Sequence, residues 1–407
     1  MTKSYLTKED IDQNVLVSDV LIGLRCIFHD QIDNVRNFVM FPDGKDKPYN
    51  IGFVNMERNE WYCTNPDMEG KATDLLEKVF DRKIDDDLLD TTYRLVGRFS
   101  QCPKPSTYMF DTTDTVQVPM DVSVIDDDDL LVPLYLMGIS QLLANKYMKQ
   151  GSYIGINDGE VYHTLLFPNS NGGYYSMVDK GWRVVGEEGV SLIGPKKDCQ
   201  RLCVFDSPLD FLALQQKRHI KGADVFFSTD RFLIINGKKN LDEALGHVAT
   251  HPEYYHVCCF FPNTDQGREM FAKFRDICQG TAVNSSRLYT AHTSIADSVV
   301  YDVNARRMDG LMTMTNIIAD AKDREFEAKL AAEQQAQAQA AKQQMEQAQA
   351  AKQQKSQAPV AEKQQPKVQN VPQTTTVRDT QKPKSESTQT TQKVTTDDVK
   401  PKRSPRR

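Results

Sequence analysis

No apolar run in this chain approaches the roughly 18 residues that a membrane-spanning helix requires. Its opening residues, MTKSYLTKEDIDQ, are polar and acidic. The first absence argues against a membrane protein, and the second against a secretory leader with its apolar core; the expectation is a cytoplasmic protein with no membrane partner. None of the eight cysteines (Cys26, Cys63, Cys102, Cys199, Cys203, Cys258, Cys259, Cys278) forms a Cys-x-x-Cys pair. That pattern points to reduced thiols rather than a disulfide framework or a thiolate-rich zinc site. Cys26-x-x-His29 has ligand-like spacing but lacks a second ligand pair at a suitable distance. Also missing are a Gly-x-x-x-x-Gly-Lys-Ser/Thr loop for nucleotide phosphates and a Gly-x-Ser-x-Gly nucleophile turn. The formal charge of -6 argues against nucleic-acid binding by the whole surface, while leaving room for a local basic patch.

At 407 residues, 39% hydrophobic and 26% charged, the chain has the size of two or three units of a globular protein. Composition shifts near residue 310. The stretch DREFEAKLAAEQQAQAQAAKQQMEQAQAAKQQ is built from good helix formers and repeats QAQAAKQQ at 337–344 and 347–354. A ten-residue period sets no steady apolar seam on a helix, so 311–355 is expected to be a solvated helix or one that self-associates weakly, rather than a durable coiled coil. From 356 to 407 Gln, Thr, Lys, Ser and Pro dominate, which predicts disorder. The last eight residues, KPKRSPRR, include five basic ones, able to touch phosphates without sequence choice or merely to solubilise the end. The acidic runs Asp85–Asp87 and Asp126–Asp129 read as solvated turns, because contiguous carboxylates point in different directions.

The segment RLCVFDSPLDFLAL, 201–214, is a strand delivering Asp206 into the first turn of a helix, with Asp210 one turn on. After it, strand-like ADVFFS, RFLIING and YHVCCFF alternate with helical periods over 240–248 and 270–277. Alternation of near-continuous apolar strands with helices predicts a mostly parallel, helix-covered sheet. Ligands gather at the carboxyl ends of such strands. Two of those ends carry acids or their amides, Asp206 and Asp210 at the first and Asn263 and Asp265 in FFPNTDQGREMF at the second, and YDVNARR adds Asp302 near a third apolar stretch. Converging carboxylates supply the hard oxygens that magnesium needs while it keeps waters and binds phosphate. Each acid alone also has a structural reading. Asp206-Ser207-Pro208 carries a helix-capping signature, and Asn263 to Gly267 suits an ordinary strand-to-helix turn.

These motifs resemble a known family. VFDSPLDFLAL is similar to the first motif of the Toprim domain of DnaG-type primases, and CCFFPNTDQGREMFAKF to its Asp-x-Asp motif. YDVNARRMDGL resembles a later Asp-x-Asn segment of primase-like proteins in Bacteroidetes mobile elements. Upstream, residues 38–80 resemble the primase N-terminal zinc module, and LLVPLYLMGIS and LLFPNSNGGYYSM the linker that follows it. The resemblance implies an α/β fold: a Toprim-like, mostly parallel sheet covered by helices, preceded by a small α+β module without zinc, with a long C-terminal helix and a disordered tail. The segments it implies are 1–95 (degenerate zinc module), 96–195 (linker and α+β region), 196–310 (Toprim-like), 311–355 (Ala/Gln helix) and 356–407 (tail).

By the same resemblance Asp206 takes the general-base or metal position, Asn263 and Asp265 the metal pair, and Asp302 an outer place. Asp206, Asp210 and Asp265 are the candidate catalytic residues; Asp206, Asn263, Asp265 and Asp302 are the candidate ligands for magnesium or manganese. The departures are specific. Where the zinc module has four ligands this chain offers Met40, Asp43, Cys63 and Pro66, and one thiolate cannot hold structural zinc. An apolar core of Phe38, Phe41, Ile51, Phe53, Trp61 and Leu75 is expected in its place. Asp206 stands one methylene short of the family glutamate, and Asn263 replaces an aspartate. The register is open as well: aligned on Gly267 instead of Asp265, the acidic pair falls on Pro262 and Thr264. The implied function is a primase-like Toprim protein that acts on or binds DNA in replication or mobilisation of a mobile element, with weak or lost catalysis. Two alternatives stand beside it: an active magnesium-dependent, primase-type nucleotidyltransferase, and a non-catalytic α/β scaffold for protein interaction. DNA, single-stranded included, and replication or mobilisation proteins meeting the C-terminal helix are the implied partners.

Overall fold

The computed structural model describes residues 4–40, 50–63, 68–100, 104–110, 119–155, 159–178, 181–195, 199, 201–223 and 229–356. The strand expected at ADVFFS, the positions Phe41, Asp43 and Pro66, and all of the tail after Ser356 lie outside these residues, as do the side chains of Met40, Ile51 and Asp302. Residues Met1–Gln334 form one compact unit and Gln335–Arg407 a second.

The N-terminal layer is a meander. Strands β1 (Ile27–Ile32), β2 (Val35–Met40), β3 (Asn50–Asn55), β4 (Glu60–Cys63) and β5 (Glu69–Gly70) pair in sequence order, all antiparallel. Helices α1 (Lys8–Asn14), α2 (Val17–Gly23), α3 (Ala72–Phe80) and α4 (Asp86–Gly97) cover one face. Thr7 caps α1 in a capping box with Asp10, and Asp85 caps α4 by accepting from the Leu88 N–H. Alternation along the strands decides what is inside. Phe38, Val54, Trp61 and Leu75 are fully buried. Phe53 belongs to the opposite face, stacked on Tyr62 with ring centroids 5.1 Å apart; the neighbouring Val54 takes the core position expected for it.

The second layer is a mostly antiparallel sheet between residues 109 and 185. Strands β6 (Met109–Phe110), β7 (Pro119–Ser123), β8 (Lys149–Ile154), β9 (Val161–Pro168), β10 (Tyr174–Val178) and β11 (Gly181–Val185) make a six-stranded sheet in the order β6-β11-β10-β9-β8-β7. Only the β6–β11 pair is parallel. The short helices α5 (Val132–Leu136) and α6 (Gln141–Tyr147) precede β8.

The third sheet has the order β12-β14-β13-β15-β16, from β12 (Ser191–Ile193), β13 (Arg201–Phe205), β14 (Arg231–Ile234), β15 (His256–Phe260) and β16 (Val283–Asn284). Every pair is parallel except the edge pair β12–β14. Helices α7 (Pro208–Ile220), α8 (Leu241–Ala249) and α9 (Asp265–Ile277) connect the strands. Both faces are covered, which is why the strands read as continuous apolar runs. Leu202, Val204, Leu233, Cys259 and Phe261 face α8 and α9. Phe205, Phe232, Ile234 and Phe260 face α7 and join the second sheet through Phe167, Tyr175 and Trp182. Burying each such aromatic or aliphatic side chain contributes roughly 1.5–3 kcal/mol.

Helix α10 (Ile295–Ser356) departs from the sequence reading. YDVNARR is part of it and not the end of a strand, and the helix starts well before residue 311. Val299 and Val300 pack into the core shared by the second and third sheets, and Leu311 and Met314 into the N-terminal core. Between them Arg307, 2% exposed, donates from Nε to Asp19 Oδ2 (2.6 Å) and from Nη2 to Asp19 Oδ1 (2.9 Å). Tyr135 donates to the same carboxylate. Every residue from 322 to 349 is exposed, in keeping with a solvated Ala/Gln helix. Among the described residues no helix is long and apolar enough to cross a membrane.

Candidate functional site

The strand order places a switch point at the carboxyl ends of β13 and β15: the chain leaves β13 for β14 on one side, then returns to β15 on the other. Open α/β sheets bind ligands in this crevice. A cavity of about 590 Å³ lies there. Its floor is Asp206, Ser207 and Asp210 after β13; its sides are Asn236 to Lys239 after β14, Pro262, Thr264 and Gln266 after β15, and Thr293 and Ser294 before α10. Tyr108, Met109 and Phe110 of the second layer close it from above, Met109 being 76% exposed.

The cap of α7 is Ser207, not Asp206. The Ser207 hydroxyl accepts from the Asp210 N–H (3.3 Å) and donates to Asp210 Oδ2 (3.1 Å). Asp210, 5% exposed, also accepts from the Ala296 N–H (3.1 Å), so its carboxylate sits at the starts of two helices. Burial raises its pKa to about 6 despite stabilising hydrogen bonds from Ala296, Ser294 and Ser207. Asp206 has no comparable support. Its Oδ1 is buried without a hydrogen-bond partner, and burial, with the Asp210 charge added, pushes its pKa up to about 7. A strand end that leaves a carboxylate oxygen unpaired in a cavity is set up for a cation or a proton.

The other sequence candidates go elsewhere. Thr264 caps α9 by accepting from the Gly267 N–H (3.1 Å) and turns Asp265 outward. Asp265 is paired with Arg268, and its side chain is 92% exposed. Asn263 uses its amide to hold the 289–292 loop, donating to the carbonyls of Tyr289 (3.2 Å) and His292 (2.9 Å). The residues of β15's end that face the cavity are Pro262 and Thr264, the register set by Gly267. Gly267 is required there: a Cβ would stand 2.0 Å from the Pro262 carbonyl oxygen. Asp302 lies within α10. Among the described residues no three His, Cys, Asp or Glu side chains are grouped to hold a metal. In the N-terminal layer Cys63 ends β4, its N–H donating to the Met68 carbonyl (3.0 Å).

Several lining residues escaped the sequence reading. Lys238 and Lys239 follow a turn in which Asn236 (φ 58°) and Gly237 (φ 96°) both take left-handed conformations. Gly237 also lies against Phe110, whose Cγ would be 2.8 Å from an added Cβ. Lys239 pairs with Glu188 at the rim (3.5 Å). The GKK after RFLIIN was a signal available in the sequence; Ser294 had none, because only the tertiary fold brings the start of α10 to Asp210.

The site therefore belongs to a mixed α/β protein whose strand-end crevice is lined by Asp206, Asp210, Lys238 and Lys239, with Glu188 at its rim. No family model and no curated protein matches the chain. Among solved structures it is similar to the primase fragment of the bacteriophage T7 primase-helicase, at 14% identity and a TM-score of 0.30, over 71% of this chain and 99% of that one. It is also similar to the Aquifex aeolicus primase, zinc-binding and RNA polymerase domains, at 11% identity and a TM-score of 0.29, over 79% of this chain and 86% of that one. A third similar structure is the T7 lagging-strand DNA polymerase with primase domains bound to an RNA/DNA hybrid and dTTP, at 13% identity and a TM-score of 0.28, over 47% and 91%.

Proposed function

We propose that this chain is a primase-like protein that binds DNA at the strand-end crevice through a single divalent cation, and that its nucleotide-polymerising activity is weak or lost. The observation that carries the reading is the contrast between Asp206 and Asp265. Asp206 offers an unpaired buried carboxylate oxygen to the cavity, whereas Asp265 points to solvent beside Arg268.

Magnesium or manganese fits the oxygen donors at the floor. Asp206 would be its direct ligand, and Asp210, already accepting three hydrogen bonds, would add charge from beside it. The cation would neutralise a phosphate entering between Asp206 and the Lys238-Lys239 turn. Two-metal phosphoryl transfer needs a second cation about 3.5–4 Å from the first, and neither Asn263 nor Asp265 lines the cavity to hold one. The mostly parallel strand order around β13 and the resemblance of the motif at Asp206 support the primase relation. The exposed part of α10 and the basic tail are the proposed contacts for replication or mobilisation proteins.

The test uses the full chain. Calorimetry with magnesium and manganese chloride should show one site, lost in Asp206→Asn. Fluorescence anisotropy with labelled single-stranded DNA should show cation-assisted binding, weakened by Lys238→Glu. Primer synthesis on a single-stranded template should be at or near background. Absence of any metal heat at millimolar concentration would remove the cation from the reading, and robust primer synthesis would replace it with the enzymatic one.

A further inference from the structure

Away from the crevice, two thiols face each other across the centre of the third sheet. Cys203 on β13 and Cys258 on β15 are register partners in a parallel pair. Adjacent strands lie about 4.8 Å apart, within the roughly 4.4–6.8 Å Cα separation that disulfides span. Both side chains are on the α7 face of the sheet: Cys203 is in the aromatic core and Cys258 packs against it, while Cys259 points to the other face. The two side chains therefore lie next to each other on one face of the sheet. Cys258 is the half-buried member and Cys203 the buried one.

We infer that Cys203 and Cys258 form a reversible, peroxide-oxidised thiol pair that cross-links β13 to β15. The chemistry follows the placement of charge. Arg201, held by Asp230 through two contacts of 2.6 Å, stands two residues before Cys203 and opposite His256 in the pairing. Cys258 is the more exposed of the two, and its interaction with the neighbouring Cys203 thiol, with the Arg201 charge added, holds it below its ordinary value, whereas Cys203 is held above it. Cys258 is therefore the attacking thiolate. Its sulfur attacks an oxygen of hydrogen peroxide, the O–O bond breaks, the sulfur becomes sulfenic acid and the departing hydroxide is protonated to water. The Cys203 sulfur then displaces the sulfenic hydroxyl, which leaves as a second water after taking the Cys203 proton. Two thiols give up two electrons and peroxide is reduced to two waters. The link would pin the two strands whose ends carry Asp206 and Pro262, and a dithiol reductant would release it.

The experiment treats the folded full chain with hydrogen peroxide, removes the peroxide, unfolds the protein in the presence of N-ethylmaleimide at mildly acidic pH so that every remaining thiol is alkylated as it is exposed, and maps linked peptides by mass spectrometry without reduction. The expected product joins the peptide of Cys203 to that of Cys258 and Cys259, disappears on dithiothreitol treatment, persists in Cys259→Ser and is absent from Cys258→Ser. Sulfenic acid at Cys258 should accumulate in Cys203→Ala, trapped by dimedone. Circular dichroism of each variant separates loss of the pair from loss of the fold. A link that survives Cys258→Ser, a link from Cys259 to Cys278, or peroxide-treated parent protein with both thiols fully alkylated would overturn the inference.

Discussion

Replacing Asp206 with Asn should make the protein more stable above neutral pH and leave it nearly unchanged in acid. The carboxyl titrates at about 7 in the folded protein, against about 3.9 for an aspartate in an unfolded chain. Because the folded value is the higher one, the folded state holds the proton more tightly. Stability from this group is complete below pH 4, falls as pH rises between about 4 and 7, and is fully lost above 7. The gap corresponds to about 4 kcal/mol, and partial access to solvent at the cavity floor reduces the expectation to about 2–4 kcal/mol. Asn keeps the shape without the charge, so at pH 8 the variant should melt about 4–8 °C above the parent, at roughly 2 °C per kcal/mol, and at pH 4.5 the difference should shrink to about 1–2 °C. Asp210 titrates in the same direction and its charge acts on Asp206, so removing the Asp206 charge also relieves Asp210 and adds to the variant's gain at alkaline pH. Thermal melts in matched buffers from pH 4.5 to 8.5 measure the difference. Adding magnesium at pH 8 should raise the parent melting temperature and leave Asp206→Asn where it was. Parallel pH curves for the two proteins would refute the claim that Asp206 is an unsupported charge in the cavity.

Asp265→Ala should change stability by no more than about 0.5 kcal/mol and leave calorimetric metal binding intact; loss of binding would contradict its outward placement. Arg307→Ala should cost about 3–5 kcal/mol in urea denaturation, because it strands the buried Asp19 carboxylate without its cation. Gly267→Ala forces a Cβ against the Pro262 carbonyl and should lower stability by at least about 1–3 kcal/mol, with a matching loss of DNA anisotropy because the Pro262–Thr264 wall must move.

The third sheet was legible in the sequence because its strands are buried on both faces and its helices carry apolar residues at helical spacing. Asp206 and Asp210 were legible for the same local reason: strand, turn and first helical turn are contiguous in RLCVFDSPLD. Asp265 shows the limit. At a helix start one residue changes direction from cavity to solvent, and the Thr264 hydroxyl, by capping α9, decides which. The alignment on Gly267 gave the side chains that face the cavity; the alignment on Asp265 gave the charges. The early start of α10 was hidden because SIADSVVYDVNARR mixes buried and exposed positions, with Arg307 buried only because Asp19 and Tyr135 meet it. No local pattern announces a partner nearly three hundred residues away in sequence.

Two contacts fix the register of helix α10: its Ala296 N–H meets Asp210 in the crevice, and its Arg307 meets Asp19 in the N-terminal layer. Eleven residues separate them, about 16.5 Å of rise and three turns with about 20° to spare. The helix is thus a ruler between the crevice and the N-terminal layer, read in whole turns. One inserted residue between the two contacts would swing Arg307 about 100° away from Asp19, whereas the same insertion among the exposed residues after 322 would leave both contacts in place.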